Sequence, residues 1–326
     1  MTRQSAVAWK NVARILPASR PHWVGNGFNV FPVFSNLAFQ QELSPWLMFD
    51  YAAPKEFPPT RERLGVGQHP HRGFETVTIA FQGEVEHSDS VGHNDVIGPG
   101  DVQWMTAGRG IIHEEYHSTA FAKRGGTFEM CQLWLNLPRK DKMVAPRYQP
   151  ILDKDIPVVP LAPMNLSPSP PPPPAVAEAA DGDEKAACDA PPVGSVRVIA
   201  GELDGHRGPA ATFSPVELWD VHLPTPSAPV LLKVPDGHNT IVFVRSGELE
   251  VGPEGEERRV GPQSVALMER DGEALRLVAR APDTRVLLLG GEPLDEPIAA
   301  RGPFVMSTDA ELRQANEDFM SGRMGG

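Results

Sequence analysis

The chain has 326 residues, 40% of them hydrophobic, with 30 Lys and Arg against 42 Asp and Glu and a formal net charge of −12. This length accommodates about two domains with a core in each, and the acidic balance excludes a surface that tracks nucleic-acid phosphates, which requires clustered cations. The only cysteines, Cys131 and Cys188, lie far apart, which excludes a disulfide framework and a cysteine-rich metal site.

The opening stretch MTRQSAVAWKNVARILPA has neither the compact apolar segment nor the small-residue cleavage site of a secretory signal. Arg3, Lys10 and Arg14, without an acidic neighbour, leave a short organelle-targeting peptide as a minor alternative. No apolar run nears the roughly 18 residues that span a bilayer. The expectation is a cytoplasmic protein, nuclear as an option in a eukaryote, with no membrane contact. The following texture is β: ETVTIAF and DVIGPGDVQWM alternate Val, Ile and Phe and are punctuated by Gly, Pro, Asn and Asp.

Residues 163–194, PMNLSPSPPPPPAVAEAADGDEKAACDAPPVG, break that texture. The proline run favours an extended conformation, and the acidic, alanine-rich remainder has too little apolar bulk to offset ordering entropy. A disordered linker is expected, with a PxxP ligand for a partner domain as the lesser reading. It divides the chain into an N-terminal domain over 1–162 and a C-terminal domain over 195–326.

Past the linker, β texture returns in NTIVFVRSGELEV, SVALM, ALRLVA and RVLLLGG, and it repeats the first half. TVTIAFQGEVEH (76–87) matches TIVFVRSGELEV (240–251), and VIGPGDVQWM (96–105) matches RVGPQSVALM (259–268). Gly83 then answers to Gly247 and Gly98 to Gly261, so the offset holds within one residue and two copies of one β-domain are expected. The chain closes on STDAELRQANEDFMSGR, where Thr308 and Glu311 form a capping box and Leu312, Ala315 and Phe319 recur at helical spacing. The predicted class is all-β: two tandem antiparallel β-sandwich barrels with one C-terminal amphipathic helix.

Four side chains carry the chemistry. A strand turns alternate residues to one face, so His69 and His71 in HPHRGFETVT point together, with Glu75 and Val77 beside them if the strand is unbroken. In GRGIIHEEYH, His113 and Glu115 form a second such pair. Two pairs on neighbouring strands bring three imidazoles and one carboxylate to a point, a donor set for Fe(II), Mn, Ni, Cu or Zn with coordination positions left open. The competing reading is a hydrogen-bonded barrel rim without metal. Four buried polar groups lacking an ion would cost several kcal/mol, which favours the metal.

QHPHRGFETVT, EHSDSVG, PGDVQWMTAGRGIIHEE, QLWLNLP and GEPLDEPIAARGPFVMSTDAE, in that order, resemble the pirin family of the cupin superfamily. The resemblance implies a bicupin with jelly-roll barrels and one Fe(II) per chain in the N-terminal barrel, other divalent transition metals being able to replace it. Its implied ligands are His69, His71, His113 and Glu115. The general cupin pattern H-x-H-x-x-x-E would use Glu75 instead; the pirin pattern leaves Glu75 as a carboxylate behind the ligands or a gate.

The implied function is an Fe(II)-dependent dioxygenase of quercetin-like flavonols, taking a small aromatic or enediol substrate and O2, with Glu115 or Glu75 receiving the substrate proton. The alternative is an iron redox-sensing binding module that regulates a protein partner, as a transcriptional coregulator or a modulator of a metabolic enzyme. A monomer is expected. Counting from the repeat glycines, His69, His71, Glu75 and His113 fall near Lys233, Pro235, Asn239 and Arg276, so the second barrel is expected to bind no metal. His87 and Asp89 are expected near the site or stabilising its loop, Trp104, Met105 and Trp134 in the core, His93 and His117 exposed, and Cys131 buried as a small hydrophobe.

Overall fold

The computed structural model describes residues 7–35, 40–164 and 191–325. The predicted linker therefore lies, apart from its ends, outside the described residues, as does Cys188.

Strands form where branched and aromatic residues alternate with small or polar ones. The first half contains β1 (Val12–Leu16), β2 (His22–Val24), β3 (Phe28–Phe34), β4 (Trp46–Phe57), β5 (Gly65–His71), β6 (Phe74–Gln82) and β7 (Val85–Asp89). It continues with β8 (Asn94–Ile97), β9 (Val102–Thr106), β10 (Ile111–His117), β11 (Gly126–Asn136), β12 (Arg147–Ile151) and β13 (Val158–Leu161). The second half contains β14 (Gly194–Ala200), β15 (Glu202–Leu203), β16 (His206–Arg207), β17 (Val216–Leu223), β18 (Val230–Lys233), β19 (Asn239–Ser246) and β20 (Leu249–Val251). It ends with β21 (Arg258–Val260), β22 (Val265–Met268), β23 (Ala274–Ala279), β24 (Thr284–Gly291), β25 (Ala299–Arg301) and β26 (Phe304–Met306). The helices are α1 (Gln40–Leu43), α2 (Thr119–Arg124) and α3 (Asp309–Met320).

Four sheets carry the architecture. A seven-stranded sheet in the order β12-β9-β6-β11-β4-β3-β2 lies with the four-stranded β5-β10-β7-β8. The second half repeats this strand for strand as β1-β22-β19-β24-β17-β14-β13 and β18-β23-β20-β21. The duplication read from short matches is thus a duplication of topology, and each copy is a two-layer sandwich whose sheets do not close into one barrel. Gly83 and Gly247 end β6 and β19 at φ +82° and +79°. A Cβ at Gly83 would stand 2.6 Å from the Phe128 ring, which is why glycine marks this turn.

The copies trade segments. β1 pairs with β22 and β13 with β14, so the second sandwich takes both outer strands of its large sheet from before the linker. In the other direction, β26 crosses to the first sandwich, where Val305 N donates to Arg72 O at 3.0 Å. From α3, Asp318 Oδ2 accepts from Arg72 Nη1 at 2.8 Å. The capping box forms as read, Glu311 N donating to Thr308 Oγ1 at 3.3 Å. Leu312 and Ala315 are buried beneath the helix.

The two large sheets pack face to face. Phe49, Tyr51 and Leu133 meet Phe243, Leu287 and Leu289 in one core, with the Phe49 and Phe243 ring centroids 4.7 Å apart. Alternation fixes the other face: residues of β4, β6, β9 and β11 that point away from this core point into the first sandwich, where the histidines lie.

Candidate metal centre

β5 and β10 are antiparallel neighbours, and His69 stands directly across from His113. His71 lies two residues on, facing the same way, and a bulge between His113 and Glu115 re-aims the second pair. The ring of His113 is 4.3 Å from that of His69 and 4.9 Å from that of His71. One ring nitrogen from each of the three lies within 4.8 Å of the others, and His113 forms a second such group with His87 and Glu115. Three of the four predicted ligands thus form one group, and Glu115 joins His113 and His87 in a second that shares His113.

Each imidazole has one nitrogen engaged and one left over. His69 Nδ1 meets Gly67 O at 2.8 Å and His71 Nδ1 meets Pro303 O at 3.3 Å. Because carbonyls accept only, both Nδ1 atoms carry the proton and both Nε2 lone pairs are bare. His113 Nδ1 faces His87 Nδ1 at 3.5 Å, while its Nε2 is buried with no hydrogen-bond partner among the described residues. Burial, then the neighbouring His69, push His71 down to about 3. Burial followed by His71, His69 and His87 holds His113 well below its ordinary value. Both are neutral at pH 7, the state a metal ligand requires. An orphaned buried nitrogen beside two bare ones is a donor set that fits a transition metal.

The carboxylate is held as firmly. Glu115 Oε1 accepts from Thr78 Oγ1 at 3.2 Å and Gln103 Nε2 at 3.1 Å, and Oε2 accepts from Gln132 Nε2 at 2.7 Å. Gln103 also donates to His87 Nδ1 at 3.3 Å, and His87 Nε2 lies 3.2 Å from Asp89 Oδ2. His87 is thus protonated on Nε2, and the single lone pair of its Nδ1 is shared by Gln103 Nε2 and His113 Nδ1. Tyr148 stacks on the His87 ring at 4.9 Å. A line of contacts from Asp89 through His87 fixes the tautomer of His113.

The structure does not bring Glu75 to this group. Thr106 Oγ1 donates to Glu75 Oε1 at 2.6 Å and Arg147 Nη2 lies 3.8 Å away. Its cross-strand partner Leu135 and its neighbour Val77 belong to the core between the sandwiches. Between His71 and Phe74 the chain leaves one sheet for the other through Gly73 at φ +88°, which resets the alternation. His117 also departs from expectation: it is buried, stacked 4.2 Å from Phe128. His93 is partly exposed, with its Nδ1 2.8 Å from Asp89 Oδ2. Trp104, Met105 and Cys131 are core, whereas Trp134 lies beside the site with its ring 5.3 Å from His71.

A cavity of about 260 Å³ opens onto His69, His71 and Glu115. Its other walls are mainly apolar, with Val24, Phe28, Met48 and Trp134 among them, and Asp50 and Gln132 are its further polar members. Sequence reading missed Asp50, Thr78, Gln103, Gln132 and Tyr148. The available signal was a polar residue in phase with inward apolar ones, as Gln103 is in DVQWM and Gln132 in QLWLN.

The second sandwich shows what the same positions become without this chemistry. Cross-strand register equates His69 with Leu232, His113 with Leu275, His87 with Val251 and Glu115 with Leu277. Two residues beyond Leu232, Val234 takes the place of His71. Lys233, Pro235 and Arg276, expected there, are one residue out of phase, and one residue turns a strand side chain to the opposite face. Thr78, Gln103 and Gln132 become Val242, Ala266 and Leu288. All eight apolar replacements lie in one buried cluster.

The family profiles described as Pirin and Pirin C-terminal cupin domain match residues 27–135 and 218–325. A Pseudomonas aeruginosa protein provisionally named a quercetin 2,3-dioxygenase is 50% identical over 314 residues, covering 96% of this chain and 98% of its own. Human pirin is 33% identical over 287 residues, 87% and 84% of the two chains. The crystal structure of a quercetin 2,3-dioxygenase from Acinetobacter baumannii superposes with a TM-score of 0.84 at 45% identity, over 97% of this chain and 99% of that one.

Proposed function

Because the chain belongs to the pirin family of bicupins, we propose that it is an Fe(II)-dependent dioxygenase of quercetin-like flavonols that uses O2 and holds one metal through His69, His71, His113 and Glu115. The observation that carries this reading is the bare, buried Nε2 of His113 beside two more imidazoles and an apolar cavity. Three imidazoles and one carboxylate also suit Mn, Ni and Zn; membership of the family supports the choice of iron, and the names of the relatives support a quercetin-like substrate.

When bound, the metal supplies Lewis acidity toward a substrate hydroxyl and a redox centre for O2. The chain's own residues do the rest. Val24, Phe28, Met48 and Trp134 flank a planar aromatic and exclude water. Thr78, Gln103 and Gln132 fix Glu115, which receives the substrate's hydroxyl proton. Asp89 and His87 hold His113 in the tautomer that frees Nε2. The protein acts in the cytoplasm, where Cys131, a buried free thiol, stays reduced.

The test is aerobic turnover of quercetin by iron-loaded protein against the His71→Ala variant. The flavonol absorption band is expected to disappear with the wild type alone. An iron-replete wild type that leaves the band intact refutes the dioxygenase; capture of a protein partner that then depends on iron oxidation state would identify the binding module instead.

A further inference from the structure

The cavity beside the histidines holds one acid group that no other described residue hydrogen-bonds. Asp50 lies on β4 across from Gln132 of β11. Its neighbours Phe49 and Tyr51 turn into the core between the sandwiches, while Asp50 and Met48 line the cavity. Among the described residues its carboxylate has no hydrogen bond or ion pair, and only the charge of His22 on β2 acts on it. Burial pushes its carboxyl up to about 6, so at pH 7 it is mostly ionised within a largely apolar wall. Gln132 commits its amide nitrogen to Glu115, so its carbonyl oxygen is a second acceptor beside Asp50. On β4 and β11, in the sheet other than that of the histidines, the cavity thus offers hydrogen-bond acceptors, and a carboxylate half out of water with nothing to accept from is costly until a ligand donates to it.

We propose that Asp50 sets substrate specificity: its carboxylate accepts a hydrogen bond from a hydroxyl on the part of the aromatic substrate remote from the metal. This rests on the flavonol reading and deepens it. The site then selects polyhydroxylated aromatics over analogues lacking the remote hydroxyls, and repels those that carry a carboxylate there.

Iron-loaded protein kept free of O2 is titrated with quercetin and with galangin, the flavonol lacking both hydroxyls of the pendant ring, by quenching of tryptophan fluorescence. The wild type is expected to bind quercetin about 10- to 100-fold more tightly, the usual worth of a charge-assisted hydrogen bond. Folded, iron-loaded Asp50→Leu is expected to bind the two within about threefold. Asp50→Asn keeps the shape and one acceptor oxygen but loses the charge, so its preference should fall between those limits. A wild-type preference retained by Asp50→Leu, or by Asp50→Asn should the leucine variant not fold, overturns the assignment. A wild type that binds both flavonols equally also overturns it but leaves the flavonol reading standing. A wild type that binds neither refutes the flavonol reading and this assignment with it.

Discussion

His71 directs its Nδ1 at the carbonyl oxygen of Pro303, 3.3 Å away and 232 residues further along the chain. Pro303 sits in the turn between β25 and β26, and that hairpin is tied down by the partly buried Arg72–Asp318 ion pair beside it. The C-terminal segment of a sandwich without these polar residues thus orients a histidine of the other.

Loosening that tie should be felt at the metal. Asp318→Ala is expected to lower metal affinity roughly tenfold, the scale for losing an outer partner of a ligand histidine. Asp309→Ala, on the first turn of the same helix, should leave it unchanged. Competition with a chromophoric chelator measures both; equal affinities in the two variants would disconnect the helix from the site.

His87 is expected to act on the metal through His113 and, by way of Gln103, through Glu115. His87→Phe keeps a ring to stack on Tyr148 but removes the acceptor for His113 Nδ1. Metal affinity should fall about 10- to 100-fold with little change in melting temperature. Retention of wild-type affinity would show that His113 keeps its tautomer unaided.

An ionic centre is buried in the interface between the sandwiches. Arg245 Nη2 donates to Glu129 Oε1 at 2.9 Å and Nη1 to Asp220 Oδ1 at 3.2 Å, with all three groups nearly shut off from water. Arg245→Leu leaves Glu129 without a counter-charge and should cost about 3–5 kcal/mol. Changing Glu129 to Leu as well should recover much of this, because Asp220 keeps Arg197 at 2.9 Å. Denaturant unfolding of both variants checks the ordering, and a double variant less stable than the single one would contradict it.

Glu75 predicts a slope of stability against pH. Burial raises its carboxyl from 4.5 to about 7 in the folded chain, so between those values the folded state binds the extra proton. The stabilisation is complete below about pH 4.5 and is lost as pH rises through 7, a difference of up to about 3 kcal/mol. Glu75→Gln imitates the protonated form and retains an oxygen for Thr106. It should flatten that slope and be the more stable protein at pH 8. Parallel pH profiles of wild type and variant would place the titration elsewhere.

Much of this was legible in the chain. H-x-H and H-x-E put side chains on one face because alternation along a strand is a covalent property that needs no tertiary contact. Gly83 and Gly247 mark equivalent turns because both hold a positive φ and an added Cβ would crowd Phe128 at the first and Thr284 at the second. Thr308 and Glu311 cap α3 because both partners lie within one turn.

What sequence could not fix are relations between strands. Glu75 follows His71 by four residues yet faces the opposite core, because the chain changes sheets at Gly73 and the count begins again. His87, Gln103 and Gln132 reach Glu115 or His113 only through pairing and the facing of two sheets. Pro303 reaches His71 only because the C-terminal hairpin crosses to the first sandwich. Local periodicity thus chose which histidines act together; the long-range packing of the sheets decided what surrounds them, since alternation is lost wherever a strand ends while van der Waals and hydrogen-bond partners are set by distance in space.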